Sequence, residues 1–274
     1  MASRDKPEPA DDAAPSGSFS QSLERGLTIL SAFTESTPVL GIADMARAVD
    51  LNRSTTHRYV ATLAKLGYVQ QDPDTRKYSL GPRVIDLGFA ALSSMEVTRV
   101  AAAPLQALSD ETGYACSMAV LDRSDIVYVE RRRSRRPAGF AVDLNLHVGS
   151  RLPAYCTSMG KVLLAHREPA ELRVLLESVD LARRGPKTIT AREQLRTALA
   201  KVRQTGIAVN DEELAPGLRS IAAPVRDRTG LVVAAINIAV HVTWSTSVDS
   251  VVQRLEVPLR RTATEISEQL GFRS

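Results

Sequence analysis

The run Arg53-Ser-Thr-Thr-His-Arg58 sets two guanidinium groups, three hydroxyls and one imidazole within less than two helical turns. These groups suit recognition rather than covalent chemistry. Arg53 and Arg58 can bond a guanine edge in bidentate fashion, while Ser54, Thr55, Thr56 and His57 can reach phosphate oxygens or base edges. Further along, Arg76 and Lys77 follow a Pro-Asp turn, where cations suit backbone phosphates.

A second set could do other chemistry. Ser158-Met-Gly-Lys161 has the S-x-x-K spacing of some serine acyl-transfer enzymes, although the companion S-D-N and K-T-G motifs are absent from the chain. Cys156, Thr157 and Ser158 also read as the opening of a helix, whose free N–H groups and positive dipole end suit a carboxylate. Asp211, Glu212 and Glu213 form an acidic cluster. A metal there would need further ligands, and His147, His166 and His241 are scattered, so the cluster reads as a polar loop flanking a pocket. No metal site or cofactor is expected. Cys116 and Cys156 lack any CxxC or Cys/His ligand spacing and read as reduced thiols. Arg131-Arg-Arg-Ser-Arg-Arg136 reads as a solvated loop between strands, with DNA-backbone or subunit contact as alternatives. Asn237, alone in the apolar run Leu231–Val240, is either a hydrogen-bonded core group or a ligand-orienting group on a pocket floor.

The elements that must position these residues follow from periodicity. Leu23, Leu27, Ile29, Leu30 and Phe33 mark a first helix over 21–34, and Ile42, Met45, Ala46 and Val49 a second. Asp50–Asn52 is a tight turn. A third helix, capped by Asn52 or Ser54, runs to Leu66, with Tyr59, Leu63 and Leu66 inward and Gly67 as its left-handed stop. Two short strands around 72–76 make a wing. Helix-turn-helix plus wing is the architecture that lays a helix N-terminus in a major groove. Helices follow over 82–95 and 97–112. Beyond them come strands at 114–121, 126–131, 207–210, 220–226 and 231–241, an extended stretch at 140–148, and helices at 155–165, 169–178, 191–205 and 247–270. The expected fold class is α+β: a winged helix-turn-helix, a linker helix, and a domain built on a largely antiparallel sheet with flanking helices.

Bulk properties bound the reading without making it. The chain has 274 residues, enough for two domains, and a net charge of +4. Residues 20–82 carry 7 Lys/Arg against 6 Asp/Glu, so placement of charge, not its total, must make the DNA case. Residues 1–19 have almost no large apolar side chains and read as a disordered tail. The longest apolar run is about half a membrane span and no signal-peptide core is present, so the expectation is a cytoplasmic protein with no membrane partner.

Several motifs together resemble the IclR family of bacterial transcriptional regulators. They are Ser22-Leu-Glu-Arg-Gly-Leu27, Leu51-Asn-Arg-Ser-Thr-Thr-His-Arg58 followed by Leu63-Ala-Lys-Leu-Gly-Tyr68, Leu152-Pro-Ala-Tyr-Cys-Thr-Ser-Met-Gly-Lys161, and the stretch from Asn210 to Pro224. The match covers about residues 20–272, and Gly149–Ala165 looks most like the branch controlling protocatechuate, p-hydroxybenzoate and β-ketoadipate catabolism. The resemblance implies a winged helix-turn-helix over 20–81, a linker helix over 82–96 and a GAF-like effector-binding domain over 97–274. It implies a homodimer or homotetramer on a palindromic double-stranded DNA operator. By motif it implies a ligand pocket drawn from Ala141, Leu144, Ser158, Met159, Asn210, Leu218, Ser220, Asn237 and Ala239. Asn210 stands where an Asp is common, and Asn237 and Ala239 where Ser residues can sit. Those departures disfavour a very small ligand such as glyoxylate and favour a larger acid, such as an aromatic carboxylate.

The expected function is therefore a ligand-responsive DNA-binding regulator and not an enzyme. The alternatives are a hydrolase using Ser158 and Lys161, and a DNA-binding protein without a ligand.

Overall fold

The computed structural model describes residues 19–137, 145–241 and 247–273. The chain divides into two compact units, Met1–Ala91 and Leu92–Ser274.

In the first unit, α1 (Gln21–Ser31), α2 (Ile42–Ala48) and α3 (Arg53–Lys65) precede β1 (Val69–Gln71) and β2 (Tyr78–Leu80). α1 and α3 start on polar caps, and at the start of α2 the Asp44 carboxylate accepts from the Gly41 N–H at 3.0 Å. Ser20 Oγ accepts from the Leu23 N–H, and Asn52 Oδ1 accepts from the Thr55 N–H at 2.8 Å. Between α2 and α3, Asp50 takes a left-handed φ of 50°, and Leu51 N–H returns to the Ala46 carbonyl at 3.0 Å. β1 and β2 pair antiparallel, and Leu40 bridges to Tyr78 beside them. Asp72 Oδ1 closes the wing turn by accepting from the N–H groups of Asp74 and Thr75.

The core of this unit is Ile29, Phe33, Leu40, Met45, Val60, Val69 and Tyr78. Two helical faces differ from expectation. Leu23 and Leu27 are 63% and 54% exposed, and α1 meets the core through Ile29, with Phe33 just past its end. On α3 the deepest positions are Thr56 and Val60, with Tyr59 and Leu63 half-buried, while Leu66 is a C-cap residue facing solvent.

α4 (Arg83–Ser94) buries none of its residues, and Ile85, Leu87 and Phe89 stand exposed. It breaks at Met95, where the Thr98 hydroxyl donates to the Leu92 and Met95 carbonyls. α5 (Glu96–Thr112) follows and stops on Gly113, whose φ of 78° favours glycine.

In the second unit, β3 (Ala115–Asp122), β4 (Asp125–Arg132), β5 (Arg151–Pro153), β6 (Ala208–Asp211), β7 (Leu218–Arg226) and β8 (Val232–His241) form one antiparallel sheet, ordered β5-β4-β3-β8-β7-β6. Around it pack α6 (Ser158–Ala165), α7 (Pro169–Ser178), α8 (Arg192–Thr205) and α9 (Val248–Gln269). Strand alternation separates two faces. Cys116, Met118, Ile221, Val225, Ile236 and Ile238 share a core with α5 and α9. Ala119, Tyr128, Ala208, Ala222 and Ala235 share another with α6 and α8. The pairing of β3 with β4 shifts between Met118 and Ala119, so that Val129 is an extra residue on β4.

Other departures are local. A 3₁₀ turn, Ala154–Cys156, precedes α6 where one continuous helix was expected. β5 was not expected; three residues are too few to show alternation. Residues 140–144 of the expected extended stretch, which include Ala141 and Leu144, lie outside the described residues, and 145–148 form no strand. The basic run is not a free loop. β4 continues through Arg132, and beyond it Gln106 Nε2 donates to the Arg133 carbonyl while Arg135 N–H donates to the Asp110 carboxylate at 2.8 Å.

Candidate functional site

On α3, Arg53, Ser54, His57 and Arg58 are exposed and Thr55 is half-exposed. Positions 53, 54, 57 and 58 fall on one face of the helix, because 53 with 57 and 54 with 58 are four apart and stack on the same side. Arg76 and Lys77 are exposed on the wing. Thr56 is the exception among the sequence-predicted residues. It is fully buried and its hydroxyl donates to the Asn52 carbonyl at 3.0 Å, so it fastens the helix start and does not join the outward face. Ser54 Oγ likewise donates to Asn52 Oδ1, though its side chain stays exposed.

The α6 side of the second unit gathers the other set. Across the sheet, Arg131 pairs with Ser117, Ser117 with Asn237, and Asn237 with Ala222. The adjacent row runs from Ala115 to Ala239, Ser220 and Asn210. Leu218, two residues before Ser220, shares their face. Ser158 and Met159 come down from α6, both buried, and the Ser158 and Ser220 hydroxyls meet at 2.7 Å. The Arg131 guanidinium Nη1 donates to Ser117 Oγ at 3.1 Å. Asn237 is 5% exposed, and its Oδ1 is buried without a hydrogen-bond partner. A buried carbonyl oxygen in that condition costs about 1–3 kcal/mol unless something supplies a donor.

Asn210 is used differently from the other sequence-predicted residues. Its Nδ2 donates to the Cys156 carbonyl and its Oδ1 accepts from the Glu213 N–H at 3.2 Å, so both ends of the amide hold backbone. It clamps the start of α6 to β6. Gly160 makes the same junction possible, because a Cβ there would fall on the Ala154 carbonyl.

Lys161 and the acidic cluster form ion pairs. Lys161 Nζ donates to Glu213 Oε1 and, at 2.6 Å, to the Val209 carbonyl; both charged side chains are buried. Burial pushes the Glu213 carboxyl up, and Lys161 opposes that shift without cancelling it. Asp211 and Glu212 face Lys187 and Arg219. Burial works to raise Asp211, but the two cations outweigh it and hold it below the usual carboxylate range. Among the described residues no cluster of three or more His, Cys, Asp or Glu could hold a metal. Ser158 is therefore bonded to Ser220, and Lys161 is engaged with Glu213 and Val209, which is not the partnership a Ser–Lys nucleophile needs.

The thiols are inert by environment. Burial pushes Cys116 up to about 12, and burial with the nearby Glu213 carboxylate pushes Cys156 up to about 11. They belong to opposite cores of the sheet.

Sequence reasoning missed Ser117, Arg131 and the Lys161–Glu213 pair. Only strand register joins Ser117 to Arg131. Only tertiary folding joins Lys161 to Glu213.

A winged helix-turn-helix with an exposed Arg and hydroxyl face, carried with a sheet domain that shelters polar groups beneath a short helix, defines a two-part DNA-binding regulator. The chain belongs to the IclR family. Residues 89–268 match the family model described as bacterial transcriptional regulator IclR C-terminal, and residues 22–73 match the IclR helix-turn-helix domain. It is a helix-turn-helix transcriptional regulator with an effector-binding C-terminal domain. The Pca regulon regulatory protein of Pseudomonas putida is 41% identical over 224 residues, 82% of this chain and 75% of that protein. A solved transcriptional regulator from Rhodococcus sp. RHA1 is 41% identical with a TM-score of 0.76, covering 92% of this chain and 98% of its own. An IclR homologue from Microbacterium hydrocarbonoxydans, solved in complex with 4-hydroxybenzoate, is 26% identical with a TM-score of 0.77, covering 91% and 98%. Among the described residues no helix is long and apolar enough to cross a membrane.

Proposed function

We propose that this regulator controls a gene set for the catabolism of a small organic acid, an aromatic carboxylate by preference, and that the acid is its effector. The observation that carries the effector reading is the buried, unpartnered Asn237 Oδ1, whose sheet neighbours Ala222, Ala235 and Ala239 are small. The chemistry of the relatives agrees, one being a Pca regulon regulator and another binding 4-hydroxybenzoate. The effector lies among Ser158, Met159, Leu218, Ser220, Asn237 and Ala239, with Ala141 and Leu144 contributed by the segment before β5. Asn210 acts on the site through the backbone it clamps. The protein is no enzyme and works in the cytoplasm, where its DNA is.

The operator is read by Arg53, Ser54, Thr55, His57 and Arg58, with Arg76 and Lys77 on phosphates. The working species is a homodimer or homotetramer on a palindromic operator whose half-sites are about 10 bp or a multiple apart. Uncovered Leu23 and Leu27 on α1, and Ile85 and Phe89 on α4, are spaced to meet a second copy. The effector acts by binding one arrangement of the DNA heads better than another.

The test is a mobility-shift titration at fixed salt with the full chain and its promoter DNA. Arg53→Ala and Arg58→Ala should each weaken operator binding by about 1–3 kcal/mol, and an aromatic acid that raises the melting temperature should alter wild-type operator affinity. Unchanged affinity in both arginine variants would remove α3 as the reading element.

A further inference from the structure

Arg131 and Ser117 stand side by side at one end of the polar row that continues to Asn237. Three features separate this pair from an ordinary surface arginine. The Arg131 guanidinium is bonded to the hydroxyl of a serine with no solvent exposure. It lies on the small-residue face with Ser220 and Asn237, because Ser117 alternates with Cys116 and Met118, which point to the aliphatic core. Its charge also reaches inward, acting to lower the buried Tyr128 and Cys116 groups that burial raises. A half-buried guanidinium with a hydroxyl beside it has the donor geometry and charge for a carboxylate. Among neighbouring polar groups, the Ser158 and Ser220 hydroxyls bond each other and Asn210 holds backbone. Asn237, next in the row, keeps an acceptor open.

We propose that Arg131, with Ser117, is the carboxylate-binding end of the effector site, and that Asn237 Oδ1 accepts a hydrogen bond from a second group on the same acid. This assignment rests on the effector reading above. It makes the ligand an organic acid that also carries a donor such as a hydroxyl. It takes Arg131 out of the basic run as a DNA contact and makes it a specificity-determining residue of the sensor.

Isothermal titration of the full-length protein tests it, with 4-hydroxybenzoate and 3,4-dihydroxybenzoate as probes and adipate, whose dianion carries no donor for Asn237, as the acid expected to bind more weakly. Each acid that binds is compared with its neutral carboxamide. The wild-type protein should bind the acid over the amide, and Arg131→Gln should lose roughly 10–100-fold in affinity for the acid, the size of a charge-assisted hydrogen bond, with the amide changed by less than about 3-fold. Arg131→Lys, which keeps the charge, should fall between. If Arg131→Gln does not fold, the acid-over-amide preference of the wild type together with the Arg131→Lys loss carries the test. An Arg131→Gln protein that binds the acid like wild type overturns the assignment and leaves the effector reading standing. A folded wild-type protein that binds none of the three acids overturns the effector reading, and the assignment with it.

Discussion

The two faces of the central sheet are built from the same strands and do opposite work. On β8, Ile236, Ile238 and Val240 point to α5 and α9, while Ala235, Asn237 and Ala239 point to the α6 side. On β7, Ile221, Ala223 and Val225 alternate with Ser220 and Ala222 in the same way. The first face is large and aliphatic, and burying each such side chain stabilises by about 1.5–3 kcal/mol. The second is small and polar, with an unsatisfied amide oxygen and a buried ion pair. One face holds the domain together; the other gives up packing to keep polar groups available. Alternation lets one strand serve both ends without compromise between them.

The largest expected effect breaks the second face. Lys161→Ala should cost about 3–5 kcal/mol in urea unfolding, because it leaves Glu213 buried without its cation. Adding Glu213→Leu to a Lys161→Met change should recover most of that loss. If Lys161→Ala unfolds at the wild-type urea concentration, the pair contributes no stability and the α6 side is softer than its burial implies.

Adjacent residues on β8 sharpen the comparison next. Ile238→Ala should destabilise by about 2–5 kcal/mol through a cavity in the aliphatic core. Asn237→Ala should leave the free protein within about 1 kcal/mol of wild type, since it removes an unsatisfied oxygen, and should weaken the acid effector. Equal losses from the two substitutions, measured by the same denaturant titration, would erase the distinction between the faces.

The smallest effect is a pH slope. His166, at the end of α6, has its Nδ1 near the Val162 carbonyl, and burial, with Arg203 and Arg226 nearby, holds its pKa below the usual value. The unfolded chain then binds more protons, so this group's contribution is present above about pH 6.5 and is lost as pH falls below it. His166→Gln should flatten stability between pH 7 and pH 5.5 relative to wild type. An unchanged slope would show that the imidazole titrates freely.

Much of this was legible beforehand for physical reasons. Helical and strand periods fixed most elements to within a residue or two, because each buries one face on a core. Asn52 as a cap and Gly67 as a stop are local chemistry. The inward role of Thr56 was not legible, since a threonine suits an outward donor face as well as a cap. Nor could Lys161 be assigned to Glu213, because Asn210, the clamp at Cys156 and the close approach at Gly160 bring those segments together only after folding. Leu23 and Leu27 fit an apolar stripe in sequence, yet a single chain leaves them uncovered.

The extra residue on β4 has a consequence for the sign of charge over the α6-side face of the sheet. Counted back from the hairpin turn, Asp122 meets Asp125 and Ala119 meets Tyr128, and the same count would set Glu130 opposite Ser117. Val129 intervenes, and Arg131 arrives there instead. Where the bulge falls thus decides whether that row presents a carboxylate or a guanidinium: moved past Arg131, it would leave Glu130 opposite Ser117. Excising Val129 would flatten the ladder and keep Arg131 opposite Ser117, while leaving every side chain that lines the row from β7 and β8 untouched. A sheet built this way can change the polarity of one face by a shift of strand register, with no substitution at all.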